Sequence, residues 1–418
     1  MRSKSLRGGA TEVPERESFG ELLRSYRVMA AMTQQELAEL STVSIRAIRD
    51  LEQGHSRWPR RATVRLLADG LRLTGRKRAE FEAAASRMRS KERWSITANA
   101  LGYQVPPAPG DQFFDRRAEL ALLDDLLEDA STRLVVVTGV GGIGKTRLVA
   151  EWARTKWELG VVPVWWTQAT DLDTADFANT LLDTTAVVVL DGADHSVAAE
   201  VMSLLGSCPK IKLVVTARTP LGIQDEYVVP VGPLSTMPNI DATDTDVLAA
   251  LPAVELLARH IRQLDPTFTV DARDVVTFAR IVQVLDAHPA ALIQAATWCT
   301  LRSPRDFLAD LSHDLEALRL AAHTNEDVVH TIVSSTEFLT ECENYLLARL
   351  ADAPASWTVE EALAATRATR TDIAGLIQRL LLAGIIRRET SADQPRFVIF
   401  APLRSQLAHQ QLTVACFA

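Results

Sequence analysis

A glycine-rich segment, GVGGIGKT, occupies Gly139–Thr146 and combines the residue types that bind phosphate. Glycines let backbone N–H groups curl around phosphate oxygens, Lys145 supplies a positive charge, and the Thr146 hydroxyl suits a Mg²⁺ ion. The segment lies between an apolar stretch and a helical one, as a P-loop requires. It therefore predicts a site for ATP or ADP with Mg²⁺, built from Gly139, Gly141, Gly142, Gly144, Lys145, Thr146 and Arg147.

Asp191 ends a second apolar stretch, TAVVVLDGADH. A carboxylate at the carboxyl end of a strand stands where the Mg²⁺ of a P-loop is held, so Asp191 is predicted to share a metal site with Thr146. Strong hydrolases of this kind place a second acid directly after the first, whereas Gly192 follows here. Hydrolysis of ATP is therefore expected to be slow or conditional. Asp194 is either a displaced catalytic base or a helix cap.

Arg218 ends a third apolar stretch, IKLVVTAR. Its guanidinium is either a sensor of the γ-phosphate or one half of a structural salt bridge. Strands and helices alternate from residue 134 to residue 231, which predicts a parallel sheet flanked by helices. That sheet would present Asp191 and Arg218 at the ends of its strands.

The rest of the chain predicts further domains. Helical periodicity marks VELLARHIRQL, VVTFARIVQVL and PAALIQAATWCTL, and IIRRE and RFVIF are predicted to pair as the wing of a winged helix. This winged helix is either an intramolecular lid or a second DNA-binding element, and its small basic excess favours the lid. The predicted fold class is multidomain: an all-α helix-turn-helix domain (1–93), a proline-containing linker (94–112), an α/β P-loop domain with a parallel sheet (113–232), a small helical domain (233–322) and a winged-helix domain (323–418).

The N-terminal segment carries the basic charge of the chain. Residues 1–93 contain 20 Lys+Arg and 12 Asp+Glu, which gives +8, while the remaining 325 residues give −16. A basic segment of this kind attracts a polyanion. Thr33 and Glu36 form a capping box that opens one short helix, and Ser44 opens a second that is predicted to end at Gly54. Two short helices joined by a short turn predict a helix-turn-helix.

The second helix, IRAIRDLEQG, has two faces. Ile45, Ile48 and Leu51 point to one side, and Arg46 and Arg49 point to another that fits a DNA major groove. The segments TQQELAELSTVSIRAIRDLEQG and PRRATVRLLADGLRLTGRKRAEFEAAA resemble the Cro/repressor-type helix-turn-helix, although Thr42 stands where that family usually has glycine. The resemblance implies a five-helix domain that binds double-stranded DNA, with base-edge contacts from Ser44, Arg46 and Arg49 and phosphate contacts from Gln34, Arg57, Arg60 and Arg61.

Residues 113 to about 412 resemble the STAND nucleotide switches, which include the NB-ARC domains, and in particular the bacterial AfsR-like and LuxR-associated regulators. The likeness rests on FFDRRAELALLDDLL, VVVLDGADH, CPKIKLVVTARTPLG, DAHPAAL and RFVIFAPLRSQLA. It implies that Phe114, Arg116 and Pro289 contact the adenine. Many relatives hold the β-phosphate of ADP with a histidine where Ala401 stands, so ADP would be held less firmly here or by another group.

Three substitutions depart from the pattern of those switches. Asp115 replaces a glycine, and Ala287 and His288 replace a common Gly-Leu pair. His288 is expected to be a surface or packing residue and not a catalyst. The larger relatives continue into helical repeats that sense a ligand, and the sequence contains no repeat of 20 to 50 residues. A separate sensor or ligand would then supply the signal.

The protein is expected to be cytoplasmic. No apolar run approaches the roughly 18 residues that a bilayer span needs, and the N-terminus lacks the apolar stretch of a secretory signal. The four cysteines lie far apart, so they are expected to be buried thiols and not metal ligands or disulfides. They are Cys208, Cys299, Cys342 and Cys416.

Three functions are compatible with these motifs. The favoured one is a transcriptional regulator in which ADP or ATP sets the orientation or oligomeric state of a DNA reader, bound as a dimer to two operator half-sites. The second is a turning-over ATPase with a DNA-binding anchor, against which Gly192 counts. The third is a signalling scaffold whose basic domain docks protein, against which Arg46 and Arg49 count.

Overall fold

The computed structural model describes residues 19–53, 59, 61–85, 106–107, 112–160, 162–172, 174–182, 184–237, 239–319, 327–389 and 394–409. The chain divides into two compact units, residues 1–105 with 155–163 and residues 106–154 with 164–418. Within the described ranges, no helix is long and apolar enough to cross a membrane.

The described residues between 19 and 85 form five helices. They are α1 (Phe19–Met29), α2 (Gln34–Ser41), α3 (Ile45–Glu52), α4 (Arg61–Gly70) and α5 (75–85). Their inward faces form one apolar core, in which Leu23, Leu37, Ile48, Leu67 and Phe81 are fully buried. The core explains the helical spacing of these residues, because side chains three and four apart share one face of a helix.

Local capping fixes the start of each helix of the central pair. Thr33 accepts a hydrogen bond from the Glu36 amide while Glu36 reaches back to the Thr33 amide, which is the predicted capping box. Ser44 caps α3 through the Ala47 amide. The helix-turn-helix is therefore confirmed, with a turn of residues 42–44. Ile45 was predicted to share the inward side of α3 with Ile48 and Leu51, but it is exposed and not part of the core. It is the first residue of α3 and lies before the part of the helix that packs inward.

Thr42 begins the turn in the left-handed conformation, with φ 55 and ψ 21. A side chain with a Cβ costs roughly 1–2 kcal/mol in that conformation. We expect Thr42→Gly to stabilise α2 and α3 by about 0.5–1 kcal/mol, because the relief of strain exceeds the flexibility that glycine adds to the unfolded chain. Hydrogen exchange of the α2 and α3 amides in the full chain measures the change.

Glu39→Gly is the matched control, because Glu39 is exposed inside α2. Glycine inside a helix costs about 1 kcal/mol. Exchange should therefore slow in Thr42→Gly and quicken in Glu39→Gly. Faster exchange in both variants would mean that the turn is not strained.

An α/β region follows along the chain. Its elements are α6 (Arg117–Glu128), β1 (Leu134–Thr138), α7 (Lys145–Leu159), β2 (Val164–Gln168), α8 (Thr174–Leu181), β3 (Ala186–Ala193), α9 (Ala198–Ser207), β4 (Ile211–Ala217) and β5 (Tyr227–Pro230). The strands form a parallel sheet in the order β2-β3-β4-β1-β5. The residues of β1, LVVVT, are all buried, as expected for a central strand covered on both faces. The predicted parallel sheet is confirmed.

A helical region follows the sheet. It contains α10 (Thr245–Ala249), α11 (Pro252–Leu264), α12 (Ala272–Val284), α13 (Pro289–Leu301), α14 (Pro304–His313) and α15 (Val328–Val333). Helices α11 to α13 match the three predicted segments, and α11, α13 and α14 each begin with proline, which is compatible with the first turn of a helix. The short helices α10 and α15 were not predicted.

The last described residues combine helices with a small sheet. The elements are α16 (Glu341–Ala351), β6 (Ser356–Trp357), α17 (Val359–Thr366), α18 (Arg370–Leu382), β7 (Ile386–Glu389), β8 (Arg396–Ile399) and α19 (Ala401–His409). IIRRE and RFVIF pair antiparallel as predicted, from Ile386 opposite Ile399 to Glu389 opposite Arg396. Strand β6 extends the sheet on the other side of β8.

The cysteines only partly match the expectation. Cys208 and Cys299 are buried thiols, whereas Cys342 is exposed near the start of α16. The prediction of a buried thiol was wrong at Cys342, because the amphipathic helix turns this position to solvent. Cys416 lies outside the described residues.

Candidate functional site

The loop between β1 and α7 has a backbone that requires glycine. Gly139, Gly142 and Gly144 have φ values of 147, 77 and 101, which side chains with a Cβ rarely adopt. A Cβ on Gly139 would also lie 2.8 Å from the Val231 carbonyl oxygen. Helix α7 begins directly after this loop, so its first amides point toward any anion held there. The geometry is that of a phosphate cradle.

Lys145 lies at the end of the loop and is largely enclosed. Its Nζ donates to the carbonyl oxygens of Gly139 at 2.9 Å and Val140 at 3.0 Å. Burial, reinforced by the positive charge of Arg218, lowers the pKa of Lys145 to about 8, although the Asp191 carboxylate acts in the opposite direction. The ammonium group is thus a cation that gains from a phosphate partner.

Asp191 is the centre of a small polar cluster and is 8% exposed. Its Oδ1 accepts from the Thr146 hydroxyl at 2.7 Å and from the Thr216 hydroxyl at 2.6 Å. A hydroxyl and a carboxylate in contact are oxygen donors of the kind that Mg²⁺ prefers, so the donor set fits this ion. Thr216 was not predicted, although its position two residues before Arg218 at the end of β4 is a signal that could have identified it.

Strand β3 does not end at Asp191, which corrects the expected boundary. It continues to Ala193, with an irregular register against β4 between Leu190 and Ala193. Gly192 has φ 76, and its N–H donates to the Thr216 hydroxyl at 2.9 Å. The distortion is typical of a bulge, which re-aims side chains next to functional sites.

Asp194 occupies a capping position. Its Oδ1 accepts from the Ser196 N–H at 2.8 Å and from the Ser196 hydroxyl at 2.5 Å, at the start of the 3₁₀ helix His195–Val197. These hydrogen bonds lower the pKa of Asp194. Of the two interpretations of this residue, the helix cap is the one that the contacts favour.

Arg218 is 52% exposed and does not form a close salt bridge. Its Nη1 donates to the Ser334 hydroxyl at 3.2 Å, while the Glu337 carboxylate lies 3.9 Å away. The next residue, Ser335, accepts from the Gly141 N–H at 3.1 Å. Two consecutive serines therefore contact the predicted phosphate sensor and the phosphate loop, and neither serine was singled out from the sequence.

Other C-terminal residues also lie against the loop. A Cβ on Gly141 would be 2.3 Å from the Thr331 side chain, which leaves room only for glycine. The Thr138 hydroxyl donates to the Leu382 carbonyl oxygen at the end of α18. The loop is thus covered by residues from α15, from the 3₁₀ helix Ser334–Thr336 and from the end of α18.

The predicted adenine-side residues approach the loop in different ways. Arg116 is 5% exposed, and its guanidinium donates to the carbonyl oxygens of Ile143 at 3.2 Å and Pro233 at 3.4 Å. These protein contacts make Arg116 a support of the loop. Phe114 is half-buried, and Arg147 stacks over the neighbouring Phe113 ring at 5.9 Å.

Pro289 is the first residue of α13 and adjoins the loop. The next amide, that of Ala290, donates to the Gly142 carbonyl oxygen at 3.3 Å. His288 is fully buried between α13 and the loop, which fits the packing role expected of it. Asp115 has φ 60 and accepts from the Ser235 N–H at 3.0 Å, so it occupies a conformation that glycine favours.

The exposed face of α3 carries the predicted DNA contacts. The Arg46 side chain is 92% exposed, and its charge lies 3.9 Å from Asp50. Arg49 and Ser44 are also exposed. Gln34 instead donates its side-chain amide to Glu52 at 2.8 Å, so that donor is occupied within the domain. Arg57, Arg60 and the side chain of Arg61 lie outside the described residues.

Glu52 joins α3 to the other helices. It accepts from Arg27 at 2.6 Å and 2.9 Å. Burial alone would raise the pKa of Glu52, but hydrogen bonds from Arg27 and Gln34 outweigh it and lower that pKa. This bidentate pair fixes the orientation of α3, and with it the direction in which Arg46 and Arg49 project.

Comparison with known proteins identifies two domains. A family model described as a helix-turn-helix domain matches residues 18–81, and one described as an AAA ATPase domain matches residues 112–267. The chain therefore contains an N-terminal helix-turn-helix domain and an AAA ATPase domain, and the latter implies binding of ATP or ADP.

Two proteins of Mycobacterium tuberculosis are similar in sequence. "Putative HTH-type transcriptional regulator Rv0890c" is 29% identical over 250 residues, which span 53% of this chain and 27% of the relative. "Uncharacterized protein Rv0894" is 28% identical over 274 residues, which span 57% of this chain and 65% of the relative. The match thus covers about a quarter of the first relative's length and under two thirds of the second's.

Two solved structures match the chain with low TM-scores. A STAND protein with a tetratricopeptide repeat sensor from Pyrococcus horikoshii has a TM-score of 0.29 at 15% identity, over 73% of this chain and 43% of that one. Cdc6p from Pyrobaculum aerophilum has a TM-score of 0.33 at 12% identity, over 72% of this chain and 96% of that one. Likenesses at these scores assign no further property to the chain.

Proposed function

We propose that this chain, which joins an N-terminal helix-turn-helix domain to an AAA ATPase domain, is a DNA-binding transcriptional regulator switched by ADP and ATP. The nucleotide would bind with Mg²⁺ at the loop after β1. The last described region would act as a winged-helix lid on that site. The lid and the nucleotide together would set the orientation or oligomeric state of the DNA reader, in the cytoplasm.

One observation carries the proposal. Ser334 and Ser335 hold Arg218 and the Gly141 N–H, the two groups that a bound nucleotide would use for its phosphates. A γ-phosphate that recruits Arg218 competes with Ser334 for it, whereas a diphosphate leaves that contact in place. ATP and ADP would therefore have different interaction energies with the arrangement in which the two serines contact Arg218 and the loop. Such a difference is the condition for a ligand to shift a conformational equilibrium.

The residues of the site have distinct roles in this proposal. Lys145 turns from the loop carbonyls to the phosphates and holds their charge. Thr146 and Asp191 would hold the metal, with Thr216 keeping the Asp191 carboxylate in place. When bound, Mg²⁺ would neutralise part of the phosphate charge. Gly192 provides no acid to activate water, so the nucleotide state would persist long enough to act as a signal.

The DNA reader follows from the exposed face of α3. Arg46 and Arg49 would bind guanine O6 and N7 in the major groove, with Ser44 beside them. Arg57, Arg60 and Arg61 would contact phosphates. Because a dimer matches two half-sites about one helical turn apart, a homo-oligomer is the proposed DNA-bound form.

Nucleotide affinity should fall as pH rises above about 8. Phosphate attracts the charged form of Lys145, whose pKa is about 8 in the free site. Bound phosphate raises that pKa, so binding above it takes up a proton. The affinity for nucleotide is therefore highest below the pKa of free Lys145 and declines by up to about tenfold per pH unit above it. Titration of a fluorescent ADP analogue between about pH 7 and about pH 9.5 measures the decline.

Lys145→Arg provides the comparison for this pH series, because a guanidinium remains charged throughout it. The variant should bind more weakly but with an affinity that does not change with pH in this range. An equal decline in both proteins would assign the pH dependence to another group.

Nucleotide extraction tests the proposal against a turning-over ATPase. Purified full-length protein should release ADP or ATP on denaturation, and added ATP should be hydrolysed far more slowly than the roughly 10 s⁻¹ of a typical enzyme. Rapid turnover that is unaffected by DNA would favour the ATPase. Protein that neither contains nor binds nucleotide would contradict the switch.

A further inference from the structure

The connection between α12 and α13 has an unusual backbone. Asp286 and Ala287 have φ values of 47 and 49, so two successive residues other than glycine are left-handed. Such residues persist only where surrounding contacts hold them, and they concentrate at functional sites. The segment Asp286–His288, named here the coupling turn, makes contacts on two sides that explain this conformation.

On one side the coupling turn holds the phosphate loop. The Nε2 of the fully buried His288 lies 2.8 Å from the Gly141 carbonyl oxygen, and its Nδ1 accepts from the Ala291 N–H at 3.2 Å. Because Nδ1 accepts, the proton of the neutral ring is on Nε2, which donates to Gly141. Burial lowers the pKa of His288 to about 4, so this donor is neutral across the physiological range.

On the other side the coupling turn holds the C-terminal sheet and the helix after it. The Asp286 Oδ2 accepts from the Arg387 guanidinium in β7 at 2.5 Å and from the Ala401 N–H at the start of α19 at 3.2 Å. The Asp286 side chain is 8% exposed, so its charge is screened from water. The centroid of the Phe400 ring lies 5.4 Å from that of the His288 ring.

We propose that the coupling turn links the phosphate loop to the C-terminal region, with His288 as the residue that positions Gly141 and Asp286 as the residue that retains Arg387 and Ala401. This link consists of protein groups alone. The C-terminal region can therefore stay packed against the phosphate loop although Ala401 has no side chain that could reach a phosphate. Movement of the loop when nucleotide binds is passed through one rigid turn to β7 and α19. This inference rests on the proposed switch for its role, but its contacts can be tested without DNA.

The first test breaks the Asp286 contact. Asp286→Asn keeps the left-handed backbone favourable and an acceptor for Ala401, but it removes the charge that holds Arg387. We expect release of a fluorescent ADP analogue from the full chain to become about tenfold faster, as loss of a hydrogen bond to a charged group implies. Arg387→Gln should have a similar effect, and the double variant should add little to either.

Arg388→Gln is the matched control for the first test. Arg388 is the next residue of β7, is exposed, and has no ion-pair partner within the described part of the chain. Release of ADP should be unchanged in this variant. Unchanged release in Asp286→Asn as well, or full additivity in the double variant, would overturn the proposed contact.

The second test asks whether the two sides are linked. In the full chain, Asp286→Asn should quicken hydrogen exchange in the loop of residues 139–146. His288→Leu should quicken it in β7 and in the first turn of α19. His288→Gln should restore slow exchange, because the glutamine amide can replace the Nε2–H donor. Both measurements are made without nucleotide and again with ADP, since coupling between sites is reciprocal.

The results separate this inference from the proposed function. Faster exchange on both sides, with rescue by His288→Gln, supports the link even if DNA binding ignores the nucleotide. Faster exchange confined to the altered side, or equal effects of leucine and glutamine, contradicts the link even if the nucleotide controls DNA binding. A variant that unfolds is recognised because exchange then quickens in β2 and α9 as well.

Discussion

Lys145→Ala is expected to lower the affinity for ADP and for ATP by about two to three orders of magnitude. Removing one partner from an enclosed, charge-assisted contact costs roughly 2–5 kcal/mol, and each 1.4 kcal/mol is tenfold in affinity. The middle of that range applies, because Lys145 is largely enclosed and one ammonium group faces several phosphate oxygens. Isothermal titration with each nucleotide, in the presence of Mg²⁺, measures the loss.

Lys212→Ala is the control for this variant. Lys212 lies in β4 of the same sheet, but its Nζ donates to the carbonyl oxygens of Leu127 and Asp129 and not to the loop. Its removal should leave the affinity within about twofold, because no phosphate contact is involved. Nucleotide retained by Lys145→Ala, or lost equally by both variants, would contradict the assigned site.

The double substitution of Arg46 and Arg49 by alanine is expected to weaken binding to the preferred duplex by about 30-fold to 1000-fold. A good bidentate contact between arginine and guanine contributes roughly 1–3 kcal/mol of discrimination. Both side chains are exposed and their helix is fixed by the core, so they can be removed without loss of the fold. The duplex is first selected from a random pool with the unaltered full chain.

Competition between the selected duplex and unrelated duplexes separates base reading from simple charge. The double variant should lose preference as well as affinity, because base contacts and not only phosphate contacts are removed. Arg65→Ala removes an exposed charge from α4 and should weaken all duplexes alike. If the double variant also lost affinity equally for all duplexes, α3 would contact phosphates and not base edges.

Local patterns in the sequence were sufficient to predict the elements whose contacts join residues close together in the chain. Thr33 and Glu36 predicted their capping box, and β1, the glycine loop and the start of α7 follow one another without interruption. The contact of Thr146 with Asp191 was also predictable, because parallel strands bring their carboxyl ends to one edge. These predictions depend on spacing and strand polarity alone.

Long-range polar contacts could not be predicted in the same way. Ser334 and Ser335 lie in a short 3₁₀ helix without periodicity, and they meet Arg218 and Gly141 more than 100 residues earlier in the chain. The sequence contains nothing that pairs such segments. Arg116 illustrates a related limit, because its motif indicated the correct region while the fold directed its guanidinium to backbone carbonyls.

The left-handed residues show where substitution patterns help. Thr42 and Asp115 replace glycines of the family patterns that the sequence resembles, and both adopt positive φ. Asp286 and Ala287 also adopt positive φ, yet no sequence pattern indicated that the Asp286 carboxylate binds Arg387. The replacement of a glycine thus indicated where the backbone is left-handed. The contacts of the new side chain could be identified only from the residues packed around it.

The nucleotide switch is tested most directly by the affinity for one duplex in two nucleotide states. Full-length protein is loaded with ADP or with a non-hydrolysable ATP analogue, its occupancy is verified, and its affinity for the selected duplex is measured at one salt concentration. We expect the two affinities to differ by about 5-fold to 150-fold, the usual range of coupling between two sites. Equal affinity in two fully occupied states would contradict a nucleotide switch.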